Sequence, residues 1–462
     1  MLRASVIWFA SLLCASVSIA AFTHEGPASD AVAIRNVTVI DVVSGEPLPG
    51  QTVLIADETI QALGPQGSVE IPPSALEIDG EDLFLIPGLF DMHVHYVDPQ
   101  TFGNLLVANG VLFVRDMGLP NELILPIRHS LNSGELFGPG MVATGYILDG
   151  NPPLIPAVSI GLRTVDEAHQ AVRDQAAAGA DMIKVYSRLR LSLLDAIIEE
   201  AHALGLKVVG HVPDATTIRM AAELGLDSCE HYFGFDKLIG HLLGEPVRQY
   251  YAGMGTDVSY FLRLNEVDQD ALAHELEALR KAGLSVCPTL ATFVAGMSAS
   301  AFTVGSEFEH AEYISSTLFD TWSDLWPNPV DEPAFIWETW AQLVVRLHGA
   351  GIPLLIGTDL SVPGVIPGFS VHQEMEIWQG AGIPAADVLR SATLVPAQFA
   401  GVDDRLGTLE VRKVASMVLL RANPLEDISN TREVEGVFLR GAYFNRAALD
   451  GLLQEVREAV QQ

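Results

Sequence analysis

Hydrophobic and polar positions divide the chain into segments of different texture. From Ala31 to Leu85, short apolar runs partly alternate with polar residues, as in Ile34-Arg35-Asn36-Val37-Thr38-Val39-Ile40. Turn chemistry separates them at Gly45-Glu46-Pro47 and Gly64-Pro65-Gln66-Gly67, which predicts short strands. From Leu85 onward, compact apolar runs alternate with helical ones, the mark of a parallel α/β fold. The runs that read as strands are Leu85–His95, Val111–Met117, Met141–Ile147, Met182–Ser187, Lys207–Val212, Ser228–Phe233, Ser285–Leu290 and Pro353–Leu360. Val165–Ala178, Leu191–Leu204 and Thr217–Leu224 read as helices between them. This order predicts a (β/α)8 TIM barrel over residues 86–406. The span exceeds the usual ~250 residues, so insertions are expected, at Gly234–Leu279 and Ala291–Ala350. The second holds Trp322, Trp326, Trp337 and Trp340, which suit either an aromatic lid or helix packing on the barrel.

After Gly407 the strand texture returns, in Gly407–Val411, Ala415–Leu420 and Val434–Arg440, with a helix expected from Ala447. Segments 31–85 and 407–446 are therefore expected to combine into a small β-sandwich domain beside the barrel.

The first residues read as a leader rather than as fold. Met1-Leu2-Arg3 is positive, Val6–Val17 is mostly apolar, and Ser18-Ile19-Ala20 fits a small-x-small cleavage site. A signal peptide over 1–21 implies export, to the periplasm or beyond. About a dozen apolar residues are too few to span a bilayer, so no membrane insertion is expected after its removal. The net charge of -32 argues against nucleic acid and anionic membrane surfaces, which need basic patches. The expected partner is a small-molecule substrate, with a homo-oligomer left open. Cys229 and Cys287 lie in apolar runs and read as buried free thiols.

Candidate chemistry begins at His93-Val94-His95. Strand side chains repeat every two residues, so both imidazoles share a face and can hold a divalent metal. Barrel catalytic groups come from the C-terminal ends of different strands. Read in order, those ends carry His93 and His95, then Lys184, His211, His231 and Asp359. Each alone has a bland alternative: a hydrogen-bonded structural histidine, a helix-capping aspartate, or a Lys184 paired with Asp116 or Glu230. Together they converge on one barrel mouth. A desolvated lysine can react as a neutral amine. Carboxylation by carbon dioxide would turn Lys184 into an anionic carbamate (N6-carboxylysine) able to bridge two metals.

These motifs resemble those of the amidohydrolase superfamily. The likeness runs through Pro87-Gly88-Leu89-Phe90-Asp91-Met92-His93-Val94-His95, Ile183-Lys184-Val185-Tyr186, Gly210-His211, Glu230-His231, Gly357-Thr358-Asp359 and Ser391-Ala392-Thr393-Leu394-Val395-Pro396-Ala397. It is greatest to imidazolonepropionase-like and prolidase-like members. The resemblance implies two metal ions, with Lys184 as the carboxylated bridging lysine. Relatives often carry Gly-Gly-His after the third strand, where this chain has Thr144-Gly145-Tyr146.

The expected function is hydrolysis of a C–N amide bond, in a dipeptide, an N-acyl amino acid or a cyclic amide, by a metal-bridging hydroxide. Asp359 is expected to ligate metal and to shuttle the proton. Zinc is the default ion for these ligands. Tyr186, Tyr232 and Tyr146 are candidate substrate contacts, and His372 a candidate partner of Asp359. A lactonase or phosphotriesterase-type hydrolase would use the same ligands. A mononuclear deaminase or cyclic-amidine hydrolase would not need Lys184.

Overall fold

The computed structural model of the chain describes residues 31–245, 258–297, 309–316, 318–319, 322 and 335–461. The leader expected at 1–21 lies outside them. Strands β1 (Ala31–Asp41), β2 (Glu46–Ala56), β3 (Thr59–Pro65), β4 (Leu76–Asp79) and β5 (Phe84–Pro87) come first. The middle of the chain supplies β6 (Leu89–Val94), β7 (Val111–Asp116), β8 (Gly140–Ala143), β9 (Ile147–Gly150), β10 (Ser159–Leu162), β11 (Met182–Val185), β12 (Lys207–Gly210), β13 (Ser228–Glu230) and β14 (Ser285–Cys287). Strands β15 (Met417–Leu420), β16 (Val434–Leu439) and β17 (Ala442–Asn445) follow.

The two terminal segments do combine. They form one hydrogen-bonded sheet in the order β17-β16-β15-β5-β1-β2-β3, with β4 beside β1. The join is antiparallel between β5 and β15, with Val418 opposite Ile86. Alternating β-branched residues explain it: Val32, Ile34, Val37 and Val39 bury against Val53, Ile60, Leu85, Met417 and Phe438. Gly407–Val411 is not the strand its sequence suggests. Gly407 takes a left-handed φ of 86°, and Thr408 donates to Glu410 while Lys413 donates to Thr408, closing a turn.

The middle strands are all parallel, β6-β7-β8 in one sheet and β10-β9-β11-β12-β13-β14 in another. The predicted eighth strand, Pro353–Leu360, makes isolated bridges rather than a full ladder. It still bonds on both sides: Leu355 N–H donates to Val286 O at 2.9 Å, and Ile356 O accepts from Met92 N–H at 2.9 Å. Asp181 N–H donates to Ala143 O at 2.9 Å, linking the end of β8 to the start of β11. This is a TIM-barrel-like α/β fold. Met141–Ile147 is not one strand, because Gly145 at φ 68° turns the chain between β8 and β9.

Helices fall where periodicity put them. Val165–Ala178 starts on a capping box between Thr164 and Glu167 and stops at left-handed Gly179. Leu191–Ala203 and Ile218–Leu224 follow. Arg446–Val460 is capped by Asn445. Trp340 is buried and packs on Phe261 at 5.2 Å, which is helix packing rather than a lid. Trp322 is also buried. Trp326 and the Trp337 side chain lie outside the described residues. Cys229 and Cys287 are buried free thiols. No helix among the described residues is long and apolar enough to cross a membrane.

Candidate metal centre

The six predicted ligands sit at the ends of different strands and come together. His93 closes on β6, and His95 lies just beyond it. His93 Nε2 is 3.4 Å from Asp359 Oδ1, His95 Nε2 is 3.6 Å from the same oxygen, and His231 Nε2 is 3.9 Å from Asp359 Oδ2. The His211 ring stands 5.2 Å from that of His231, centroid to centroid. Lys184, on β11, is 1% exposed. His93, His231 and Asp359 each offer a ligand atom within 4.8 Å of the other two.

Each histidine uses its Nδ1 away from this cluster. His93 Nδ1 meets Glu230 Oε2 at 2.8 Å, and His95 Nδ1 meets Gly118 O at 3.1 Å. His211 Nδ1 meets Ser187 Oγ at 3.1 Å, and His231 Nδ1 meets Thr289 Oγ1 at 2.6 Å. Such outer partners fix the orientation of a ligand ring. His93 Nε2 is buried without a hydrogen-bond partner. The His211 ring is also clamped, stacked 4.0 Å from Tyr186 and 3.9 Å from Phe233.

Electrostatics favour neutral imidazoles. Burial first, then the Lys184 charge, holds His93, His211 and His231 well below the usual histidine range. The same causes lower His95 to about 4. Burial lowers Lys184 to about 8, against the pull of Glu230 and Asp359. Burial raises Asp359 to about 7, opposed by Lys184. Among the described residues Lys184 forms neither of the ion pairs its sequence context offered. Asp116 accepts instead from Tyr96 N–H at 2.8 Å and Gly118 N–H at 3.1 Å. Glu230 is taken by Arg115 at 2.9 Å. A buried amine that makes no direct ion pair among the described residues is costly as an ammonium, even with Glu230 and Asp359 nearby, and it suits a neutral or carboxylated nitrogen.

The backbone is strained at the same places. His231, Thr289 and Asp359 have φ of 56°, 52° and 57°. Such conformations cost ~1–3 kcal/mol each and persist where the surroundings enforce them, often at functional sites.

The tyrosines separate. Tyr186 stays beside the ligands, against His211. Tyr232 is fully buried, and its hydroxyl donates to Trp340 O at 3.3 Å, which places it in the packing behind the strands. The Tyr146 hydroxyl donates to Glu122 at 2.9 Å. His372 does not orient Asp359. Its nitrogens meet Thr431 Oγ1 at 2.8 Å and Asn109 O at 3.0 Å, tying the helix Phe369–Ala381 to its neighbours. Arg115, Ser187 and Thr289 were missed as ligand supports. The lone arginine directly after the apolar run Val111–Val114 is the available signal for the first.

The chain belongs to the amidohydrolase family, whose model matches residues 84–443. By structure it is similar to a bottromycin amidohydrolase, with a TM-score of 0.75 and 23% identity, covering 99% of this chain and 96% of that one. It is also similar to a Xaa-Pro dipeptidase with methionine in its active site, with a TM-score of 0.65 and 19% identity, covering 90% of this chain and 100% of that one. At such identities the likeness shows the fold. By sequence it is similar to an adenine deaminase of Ruegeria pomeroyi, 29% identical over 136 residues, which is 24% of this chain and 22% of the deaminase. The matches span between 13% and 24% of the curated deaminases' lengths.

Proposed function

We propose that the chain is a hydrolase of C–N amide bonds that works with two divalent cations, zinc by default, held by His93, His95, Lys184, His211, His231 and Asp359. One observation carries this: four histidines spend Nδ1 on outer partners, beside a buried Lys184 that feels the Asp359 charge. The donor set of imidazoles and carboxylate fits such ions. Bound there, the cations would acidify a water and polarise the scissile carbonyl.

The remaining chemistry belongs to the protein. The neutral Lys184 amine adds carbon dioxide: an N–C bond forms, a proton leaves, and an anionic carbamate replaces the amine. Burial that holds Asp359 near neutrality lets one carboxylate accept a proton on attack and return it to the leaving amine. In this reading Tyr186 meets a substrate carbonyl or carboxylate, supported by its position against the His211 ring. The same reading includes removal of residues 1–21 on export and a ring over 86–406 closed by Pro353–Leu360. It also folds the terminal sheet of 31–85 and 407–446 over its apolar core as a sandwich. The two-sided hydrogen bonds of Leu355 and Ile356 support the closure.

The likeness to a Xaa-Pro dipeptidase makes dipeptides the first substrates to test. The sequence match to adenine deaminases supports a second reading, a mononuclear deaminase. Metal counting on purified protein, with turnover of dipeptides, N-acyl amino acids, lactones and adenine, separates them. Two ions and amide cleavage are expected. One ion, with adenine turned over and Lys184→Ala fully active, would replace the proposal by the second reading.

A further inference from the structure

Beneath the ligand cluster lies a buried ion pair with no assigned role. Arg115 and Glu230 are both 0% exposed. Arg115 NH2 donates to Glu230 Oε1 at 2.9 Å and Oε2 at 3.0 Å, and its Nε donates to Met92 O at 2.5 Å. Ser228 Oγ donates to Glu230 Oε1 at 2.6 Å. Glu230 Oε2 faces His93 Nδ1 at 2.8 Å. A carboxylate salt-bridged to arginine only accepts, so Nδ1 must carry the imidazole proton. The proton is then absent from Nε2, the atom that is buried without a hydrogen-bond partner.

We infer that Glu230, clamped by Arg115 and Ser228, is a positioning residue that fixes the His93 tautomer and turns the Nε2 lone pair to the metal site. This rests on the metal reading above and deepens it. A rival use of the same atoms exists, because His93, Glu230 and Cys287 could themselves surround a cation. The Arg115 guanidinium on Glu230 opposes that, since it supplies the positive charge such an ion would bring.

Glu230→Gln tests the inference almost isosterically. The single amide oxygen is drawn to the Arg115 and Ser228 donors. The amide N–H2 then faces His93 Nδ1, which must accept, and the proton moves to Nε2. Nitrogen NMR of [15N]histidine-labelled, metal-stripped protein reads the tautomer directly, and zinc competition against a chromophoric chelator reads affinity. The expected result is an Nδ1–H His93 in the parent, an Nε2–H His93 in Glu230→Gln, and ~10–100-fold weaker zinc binding. Should a buried, unpaired Arg115 prevent folding, the double variant Arg115→Met/Glu230→Met removes both charges at similar volume. It should fold and show the same loss of affinity. An unchanged tautomer with unchanged zinc affinity overturns the inference, as does zinc found on Nδ1. A parent protein that takes up no zinc sinks the proposed function, yet the tautomer comparison in metal-free protein still decides this point.

Discussion

Replacing Lys184 by methionine removes a buried amine and keeps most of its volume. Burial lowers this amine from its ordinary 10.5 to about 8 in the metal-free protein. At about 1.4 kcal/mol per pH unit, that gap destabilises the folded state by about 3 kcal/mol while the amine is charged. Below pH 8 the folded and unfolded chains both hold the proton, and the penalty is complete. Between about 8 and 10.5 the unfolded chain binds more protons, so stability rises with pH. Above that window both forms are neutral and the penalty is gone. Lys184→Met, stripped of metal, should therefore be the more stable protein at pH 7. The gain is at most about 3 kcal/mol, since losing Lys184 also removes a charge that favours ionised Asp359. The difference should shrink as pH climbs through the window. Urea titrations of both proteins at pH 7 and 9.5 measure it. Zinc and bicarbonate should reverse the order, because a ligand at a thousandfold excess over Kd adds about 4 kcal/mol to the protein that binds it. A metal-stripped variant less stable than the parent at pH 7 would refute the unpaired amine. Equal zinc content and turnover in the variant would refute Lys184 as a ligand.

Asp359→Asn should keep the fold and lose ~10²–10⁴ in kcat, read by steady-state kinetics on whichever amide is turned over. Asp359 is raised in the folded state, so it binds more protons than the unfolded chain between about 4 and 7, and stability falls with rising pH there. Metal-stripped Asp359→Asn should thus gain on the parent in urea titrations as pH passes upward through that window. His372→Ala should cost ~2–4 kcal/mol in thermal or urea unfolding by leaving a cavity and stranding buried partners, with kcat/KM and metal content unchanged. A selective loss of kcat would restore the link to Asp359. Tyr186→Phe keeps the stack on His211 and should change kcat or KM but not zinc affinity. Tyr232→Phe should lose about 1 kcal/mol of stability and leave kinetics untouched.

The sequence made the strand ends legible because barrel chemistry concentrates there and because His, Lys and Asp are conspicuous in apolar runs. His93, His95, His211, His231 and Asp359 lie together in the structure, and Lys184 is buried within reach of the Asp359 charge. The supports were harder to read. Ser187 and Thr289 lie 24 and 58 residues from the histidines they meet, and nothing local distinguishes a hydroxyl that bonds a ring from one that bonds water. Tyr232 follows His231 directly, yet the left-handed backbone there sends its side chain into the packing around Trp340. A one-residue neighbourhood in sequence says little once φ changes sign. Gly407–Val411 and Met141–Ile147 failed as strands for a related reason, since a left-handed glycine outweighs β propensity in a short run.

The four Nδ1 partners also differ in what they impose. The Glu230 carboxylate and the Gly118 carbonyl can only accept, so they dictate the protonation of His93 and His95 before any ion arrives. The Ser187 and Thr289 hydroxyls can donate or accept, so they steer the His211 and His231 rings without choosing their tautomers. Rigidity on that second side comes from other sources: the Tyr186 and Phe233 rings that sandwich His211, and the left-handed backbone that aims His231. The His93–His95 side is therefore set by electrostatics, and the His211–His231 side by packing and backbone strain. That division explains why Arg115 is buried so deep. A carboxylate that must stay an acceptor needs a permanent cation against it, and the strand position behind His93 is where one can be held.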